Sequence, residues 1–393
     1  MAKVLFVWEL GFGLGHIHPI KQYCHYLQGH DIYVAARSLE FAHILLEHNV
    51  CLLQAPHFQG VVAETIRSPL SFAHLLHNSG FESKDSLLGL VASWRTLYDL
   101  VEPDVVIFDH SPSALVAAKG YTFKKVLIGS GFLCPALTSP LGVFQKESTS
   151  EAQLSRVSIF ESKKVRVINK VLSQSELEPI EKLSDIYSSV DSTLLTTYPE
   201  LDHFPCRNRE RYIGVPKPQS GREPKWPLGK GKKIFVYTHP FPLLEFLLKL
   251  LAESGQAVVF YSSSVALGVC EQFASSNICF ESDSLSVERI SNEADFAITN
   301  GNFNTAAQFA LLGVPQVTIP LQMDQLIFSQ RLNASKLANI ADPGSANSIS
   351  ARFKEMLEYS ESAKGAATAI SSKYDFLKSD FQKEFTEAIY ALL

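Results

Sequence analysis

Residues 7–19 read VWELGFGLGHIHP: strand-forming residues run into three alternating glycines, Gly11, Gly13 and Gly15, and then onto His16, His18 and Pro19. A glycine-rich turn between a strand and a helix suits a phosphate, because backbone N–H groups at a helix start point outward. The dinucleotide fingerprint needs G-x-G-x-x-G, and here the sixth position is His16. It also needs an acidic residue at the end of the second strand, where this chain has Ala35, Ala36 and Arg37. Both departures argue against an NAD site. The turn then serves either to pack helix against strand or to hold His16. An imidazole at a strand end can act as a general base when a partner binds one ring nitrogen and leaves the other free. Asp109, the last residue of DVVIFD at 104–109, is the candidate partner, since the strand ends of one parallel sheet converge on one edge. The plainer alternatives are a buried or capping histidine and, for Asp109, a helix cap ahead of Ser111 and Pro112. His16 and His18 do not share a helical face. No cysteine or carboxylate stands near them at metal spacing, so no metal site is expected.

A second cluster lies far downstream. Residues 294–308 read ADFAITNGNFNTAAQ, a strand ending at Thr299, a small polar turn with Gly301, and a helix from about Thr305. Such a turn is either an ordinary strand-to-helix connection or a phosphate site. Residues 313–325 read GVPQVTIPLQMDQ, in which a turn, a strand and a second turn lead to Asp324 and Gln325. A carboxylate beside an amide at a strand end can hold vicinal hydroxyls, as on a sugar; surface polarity is the bland alternative.

These residues need elements to position them. Short apolar runs at 3–8, 31–35, 50–53, 103–109, 125–128 and 192–197 alternate with helical patterns, and the alternation restarts at 234–237, 257–261, 277–280, 296–299 and 316–319. That is the pattern of parallel β-α-β units. Residues 135–185 are more irregular and contain helical stretches. Between the two series, 203–232 carries Pro205, Pro216, Pro218, Pro224 and Pro227 and reads as a linker. The expected division is an N-terminal domain over 1–204, a linker over 205–232, a C-terminal domain over 233–375 and a final helix over 376–393. A chain of 393 residues is long enough for two cores. Its formal charge of −5 argues against a nucleic-acid partner. Cys24, Cys51, Cys134, Cys206, Cys270 and Cys279 are scattered without a C-x-x-C pair and read as reduced thiols. The first apolar run reads as a buried strand rather than a signal peptide, no stretch is long enough to span a membrane, and a cytoplasmic location is expected.

Together the segments resemble the GT-B glycosyltransferases, specifically the UDP-glycosyltransferase-like and macrolide-glycosyltransferase-like group. Residues 15–19 look like that group's G-H-x-x-P, DVVIFD like its strand ending in the aspartate that orients the histidine, and residues 313–325 like its G-V-P followed by P-x-x-x-D-Q. The resemblance implies an α/β fold of two Rossmann-like domains with an interdomain cleft and a C-terminal helix crossing back to the N-terminal domain. It implies an inverting, metal-independent transfer of a sugar from a UDP- or dTDP-sugar to a hydroxyl of a small, partly apolar or lipid-like acceptor. His16 and Asp109 would be catalytic. Thr238, Asn300, Gly301, Asn302, Asn304, Thr305, Gln308, Asp324 and Gln325 would bind the donor, and Gly13, Phe81 and Phe132 the acceptor. No resident cofactor is implied, the nucleotide sugar being a co-substrate. Residues 57–98, with Phe58, Phe72, Trp94, His57, His74 and His77, would line the acceptor site or simply pack the core. The chain departs from the group at the donor turn, where the usual histidine falls on Asn300, two glycines on Asn302 and Asn304, and the ribose-holding glutamate on Gln308. Other readings are a nucleotide-sugar epimerase on the same scaffold, or a non-catalytic sugar-nucleotide-binding protein.

Overall fold

The computed structural model describes residues 1–145, 148–205, 207, 210–218, 221–229, 231–261, 264–373 and 380–393. Cys206 and the boundary expected at 375–376 lie outside the described residues. The chain forms two compact units, each built on its own sheet. Unit 1 comprises residues 1–197, 204–214 and 382–393, and unit 2 comprises 198–203 and 215–381.

The sheet of unit 1 contains β1 (Lys3–Trp8), β2 (Asp31–Ala36), β3 (Cys51–Gln54), β4 (Val105–Asp109), β5 (Lys124–Gly129), β6 (Ser192–Leu195) and β7 (Arg211–Tyr212). Its order is β3-β2-β1-β4-β5-β6-β7 and every pairing is parallel. Helices cover both faces of such a sheet, so its central strands are apolar throughout rather than alternating. Accordingly Val4 to Trp8 and Val105 to Asp109 are all buried. The helix Lys84–Val101 shows how the covering layer is specified. Ser83 caps it by accepting from the Ser86 N–H at 3.2 Å, and Leu87, Leu90, Val91, Trp94, Tyr98 and Val101 form its buried stripe.

The sheet of unit 2 contains β8 (Lys233–Tyr237), β9 (Ala257–Tyr261), β10 (Ile278–Glu281), β11 (Phe296–Thr299), β12 (Gln316–Thr318) and β13 (Ala338–Ile340), in the order β10-β9-β8-β11-β12-β13, again all parallel. Its two faces bury separate clusters. Ile234, Val236, Val258, Phe260, Ile298 and Val317 pack on the helix Leu244–Ser254, while Phe235, Val259 and Ala297 pack with Phe309 and Ile290 on the other side.

Residues 205–232 are not a free linker. Residues 204–214 belong to unit 1, where Arg211 and Tyr212 add the edge strand β7, and from Val215 the chain belongs to unit 2, where Arg222 bridges Leu285. The helix Phe381–Tyr390 packs on unit 1: Phe385 stacks on Tyr23 with ring centroids 4.8 Å apart, and Arg211 pairs with Glu384 at 2.7 Å.

In both sheets the chain winds outward from one strand, then returns to that strand's other side and winds the opposite way. The switch points lie between β1 and β4 and between β8 and β11. Side chains just beyond the carboxyl ends of these four strands therefore sit where ligands bind in open α/β sheets.

Candidate active site

At the first switch point Trp8 is in register with Asp109. Beyond Trp8 the chain turns through Gly11 and Gly13 into the helix Leu14–Tyr26, which places His16 in its first turn. His16 Nδ1 lies 2.8 Å from Asp109 Oδ2, with both residues buried. The Trp8 indole stacks on the imidazole, centroids 4.9 Å apart and planes 17° apart, and its N–H donates to the Leu10 carbonyl at 2.7 Å. Gly11 has φ +90°, and a Cβ on it would run into His16 Nε2. The glycine is thus required twice, by its backbone conformation and by the ring it faces.

The sheet edge holds this pair from behind. The Ser111 hydroxyl reaches the Val7 carbonyl at 2.8 Å and the Asp109 carbonyl at 2.9 Å, tying the ends of β1 and β4 together. Glu9 is wholly buried. Its carboxylate accepts from the Ser113 hydroxyl at 2.7 Å and the Ser113 N–H at 2.9 Å, and the Trp94 indole donates to that same hydroxyl. Burial pushes the Glu9 carboxyl up from 4.5 to about 7 against these hydrogen bonds. His110 adopts φ 47°, a left-handed conformation, and accepts the Leu10 N–H at 3.0 Å on its carbonyl. Its imidazole is pushed down to about 3, first by burial and then by His16 and Arg37, so it stays neutral beside the pair. Trp8, Glu9, His110 and Ser111 were not among the sequence candidates. The available signal was their place: each is within two residues of His16's strand end or of Asp109.

The three acceptor candidates fare differently. Gly13 caps the His16 helix at φ +75°, with nothing within 4 Å of where its Cβ would be. Phe132 is half-buried, 6.2 Å from the His110 ring and 5.6 Å from those of Phe72 and Phe144. Phe81 is a correction. Its side chain is wholly buried and its carbonyl accepts from Lys164 at 3.1 Å, so it belongs to the core. Phe72 and Trp94 are likewise core, and His77 is held by Lys164 at 2.9 Å and the Glu64 carbonyl at 3.0 Å.

At the second switch point Tyr237 is in register with Thr299. Asn300, next along, is wholly buried. Its Oδ1 accepts the His239 N–H at 2.7 Å, and its Nδ2 donates to Thr238 Oγ1 at 2.9 Å and to the Ile319 carbonyl at 2.8 Å. Both amide hydrogens are therefore engaged in joining the ends of β8, β11 and β12. Asn300 and the equally buried Thr238 are architectural, which corrects their assignment as donor-contacting side chains. Gln325 is also turned inward. It caps the helix Met323–Ala334 by accepting the Leu321 and Gln322 N–H groups at 2.8 and 3.2 Å, and donates to Asn302 Oδ1 at 2.7 Å. Gly301, at φ +75°, faces the hydroxyl of Ser329, which is wholly buried with no hydrogen-bond partner among the described residues. The nine-residue helix Phe303–Leu311 starts here without a side-chain cap. Asn304 and Thr305 are half-buried in its first turn, Gln308 donates to the Pro216 carbonyl at 3.2 Å, and Asp324 is half-buried in the first turn of the helix Met323–Ala334.

Among the described residues no three His, Cys, Asp or Glu side chains are grouped to hold a metal ion, no helix is long and apolar enough to cross a membrane, and none of the five described cysteines forms a disulfide.

No protein-family model matches the chain, and no curated protein matches it. Solved structures do. The glycotransferase of kitacinnamycin superposes over 100% of this chain and 99% of its own, with a TM-score of 0.73 at 17% identity. The calicheamicin glycosyltransferase CalG4 covers 100% and 98%, with a TM-score of 0.70 at 15% identity. The spinosyn rhamnosyltransferase SpnG, solved with thymidine diphosphate, covers 95% of each chain, with a TM-score of 0.64 at 16% identity. Two all-parallel sheets, each with a central switch point, are thus shared along the full length of the chain, which has the two-domain α/β fold of these glycosyltransferases, GT-B.

Proposed function

We propose that the chain is an inverting glycosyltransferase of the cytoplasm, moving a sugar from a UDP- or dTDP-sugar to a hydroxyl of a small, partly apolar acceptor. The observation that carries this reading is the bond of 2.8 Å between His16 Nδ1 and Asp109 Oδ2 at a switch point. With Nδ1–H donated to the carboxylate, Nε2 keeps its lone pair. It takes the proton of the acceptor hydroxyl as the oxygen bonds to the anomeric carbon and the bond from that carbon to the diphosphate breaks on the opposite face. Asp109 stabilises the imidazolium that forms. Gly13 and Phe132 border the space for the acceptor. The negative charge on the departing diphosphate calls for N–H donors, and the uncapped start of the helix Phe303–Leu311 is the candidate source of them. Asp324 is the candidate for the sugar hydroxyls, with Asn304, Thr305 and Gln308 nearby on the helix. The shared fold supports this reading, since the neighbour SpnG was solved with thymidine diphosphate. The nucleotide sugar is a co-substrate, and no resident cofactor enters the scheme.

The test is transfer and hydrolysis of UDP- and dTDP-sugars by the purified protein with a panel of hydroxylated acceptors. His16→Ala is expected to lower turnover roughly 10²–10⁴-fold with donor affinity unchanged; turnover at the wild-type rate removes the base assignment. The inward-facing Asn300 favours one second reading, a non-catalytic sugar-nucleotide-binding protein. That reading requires the wild-type chain to bind a nucleotide sugar and neither transfer nor hydrolyse it.

A further inference from the structure

Asn300 cannot present its amide hydrogens to a ligand, yet its Oδ1 fixes the backbone of a residue that can offer a ring N–H. That residue is His239, two positions beyond β8 and half-buried at the second switch point. Its Nδ1 lies 3.0 Å from the Ser264 hydroxyl. In the tautomer where Ser264 donates to Nδ1, the ring proton is on Nε2, and Nε2–H is a donor aimed away from that contact. The ring lies 5.9 Å from that of Tyr237, whose hydroxyl bonds the side chain of Asn302, the residue that begins the uncapped helix Phe303–Leu311. The His239 ring and the start of that helix thus flank one point on the sheet edge. One further observation marks this point as built for a polar group: the wholly buried Ser329 hydroxyl beneath Gly301 has no hydrogen-bond partner among the described residues.

We propose that His239 binds the diphosphate of a nucleoside diphosphate, Nε2–H donating to a phosphate oxygen opposite the N–H groups at the start of the helix Phe303–Leu311. The inference rests on the glycosyltransferase reading and adds a residue to it. The sequence carries asparagine at position 300, and the imidazole serving the phosphate comes from the neighbouring strand end instead. Burial lowers the pKa of His239, which keeps the free ring neutral and preserves the hydrogen-bonded tautomer until the anion arrives.

The experiment is calorimetric titration of the full chain with thymidine diphosphate, UDP, thymidine and uridine, for wild type, His239→Ala and His239→Gln. Thermal melts confirm that each variant is folded, and the glutamine variant keeps both bulk and an N–H donor should the alanine variant unfold. His239→Ala is expected to weaken the diphosphate that binds wild type by roughly 10–100-fold, and to leave the matching nucleoside within about twofold. His239→Gln is expected to recover part of the loss. Diphosphate binding by His239→Ala at wild-type affinity, or equal losses for nucleoside and diphosphate, overturns the role of His239 while the glycosyltransferase reading stands. A wild-type chain that binds neither diphosphate overturns both.

Discussion

His16 and Gly11 form one functional unit although only one of them has a side chain. The ring is fixed on three sides: Asp109 holds Nδ1, Trp8 covers a face, and the bare Cα of Gly11 abuts Nε2. A proton acceptor needs its free nitrogen to open onto space for a substrate hydroxyl, and a side chain at position 11 would fill that space. Gly11→Ala therefore acts on chemistry through position. The new methyl meets Nε2, and φ +90° is a conformation that L-residues avoid, so either the ring leaves Asp109 or the turn rearranges. Turnover is expected to fall on the order of 10²-fold, the usual consequence of misplacing a catalytic group by about an ångström. Binding of thymidine diphosphate, measured by calorimetry, is expected to stay unchanged, because the proposed donor residues belong to unit 2. A Gly11→Ala protein with wild-type turnover shows that Nε2 is not the working nitrogen. Among the described residues Asp109 Oδ1 is buried without a hydrogen-bond partner, whereas Oδ2 faces the histidine.

Between elements, the end of β1 and the short helix Pro112–Ala117 are joined by Glu9, whose carboxylate takes the Ser113 N–H and hydroxyl. Its folded pKa is raised from 4.5 to about 7, with burial the largest cause and the Ser113 and Ala114 hydrogen bonds and Arg37 opposing it. Between these values the folded chain holds a proton that the unfolded chain has released. The group's favourable contribution is full below 4.5 and is lost as pH rises through about 7. Glu9→Gln keeps the shape and removes the titration. The stability of wild type relative to this variant is expected to fall by on the order of 3 kcal/mol from about pH 4 to about pH 8, read from urea denaturation. A difference that does not change with pH contradicts the assignment. Sequence patterns expose some elements better than others for reasons visible here. The runs at 3–8, 257–261 and 296–299 are strands with those same bounds, because doubly covered parallel strands are continuously apolar and end at polar or glycine-rich turns. The 22-residue helix Glu151–Leu172 lies in a stretch that reads as irregular with helical pieces but no defined bounds, since its inward face includes Glu161 and Lys164. Each is satisfied locally, Glu161 by the Leu141 N–H at 2.6 Å and Lys164 by His77 and the Phe81 carbonyl, so polarity breaks the apolar period without breaking the helix. Strands β7 and β13, of two and three residues, are too short to show a period. The meeting of His16 with Asp109 follows from strand order. The inward turn of Asn300 does not, because its partners at 238, 239 and 319 lie at the ends of two other strands, β8 and β12.

Over the whole molecule, the chain does not complete one unit before starting the next. It leaves unit 1 at Thr197, contributes 198–203 to unit 2, returns for 204–214, builds the remainder of unit 2, and ends in unit 1 with 382–393. The last helix is thus part of the support for the first site. Phe385 and Ile389 are wholly buried, and Phe385 stacks on Tyr23, which lies on the same helix as His16 and is itself buried. Phe385→Ala removes a ring from this contact and leaves a cavity under that helix, at a cost of about 3–5 kcal/mol. A single unfolding free energy is poorly defined for two units, so the informative measurement is hydrogen exchange resolved by peptide. Exchange is expected to rise in peptides from 1–197, most of all over the helix Leu14–Tyr26, and to stay at wild-type levels in peptides from 215–373. Turnover should fall with it, while thymidine diphosphate binding persists, because the donor residues share no core with Phe385. Equal loss of protection in both units would mean that the chain unfolds as one cooperative body, and the separation of acceptor and donor support between the two sheets would then not hold.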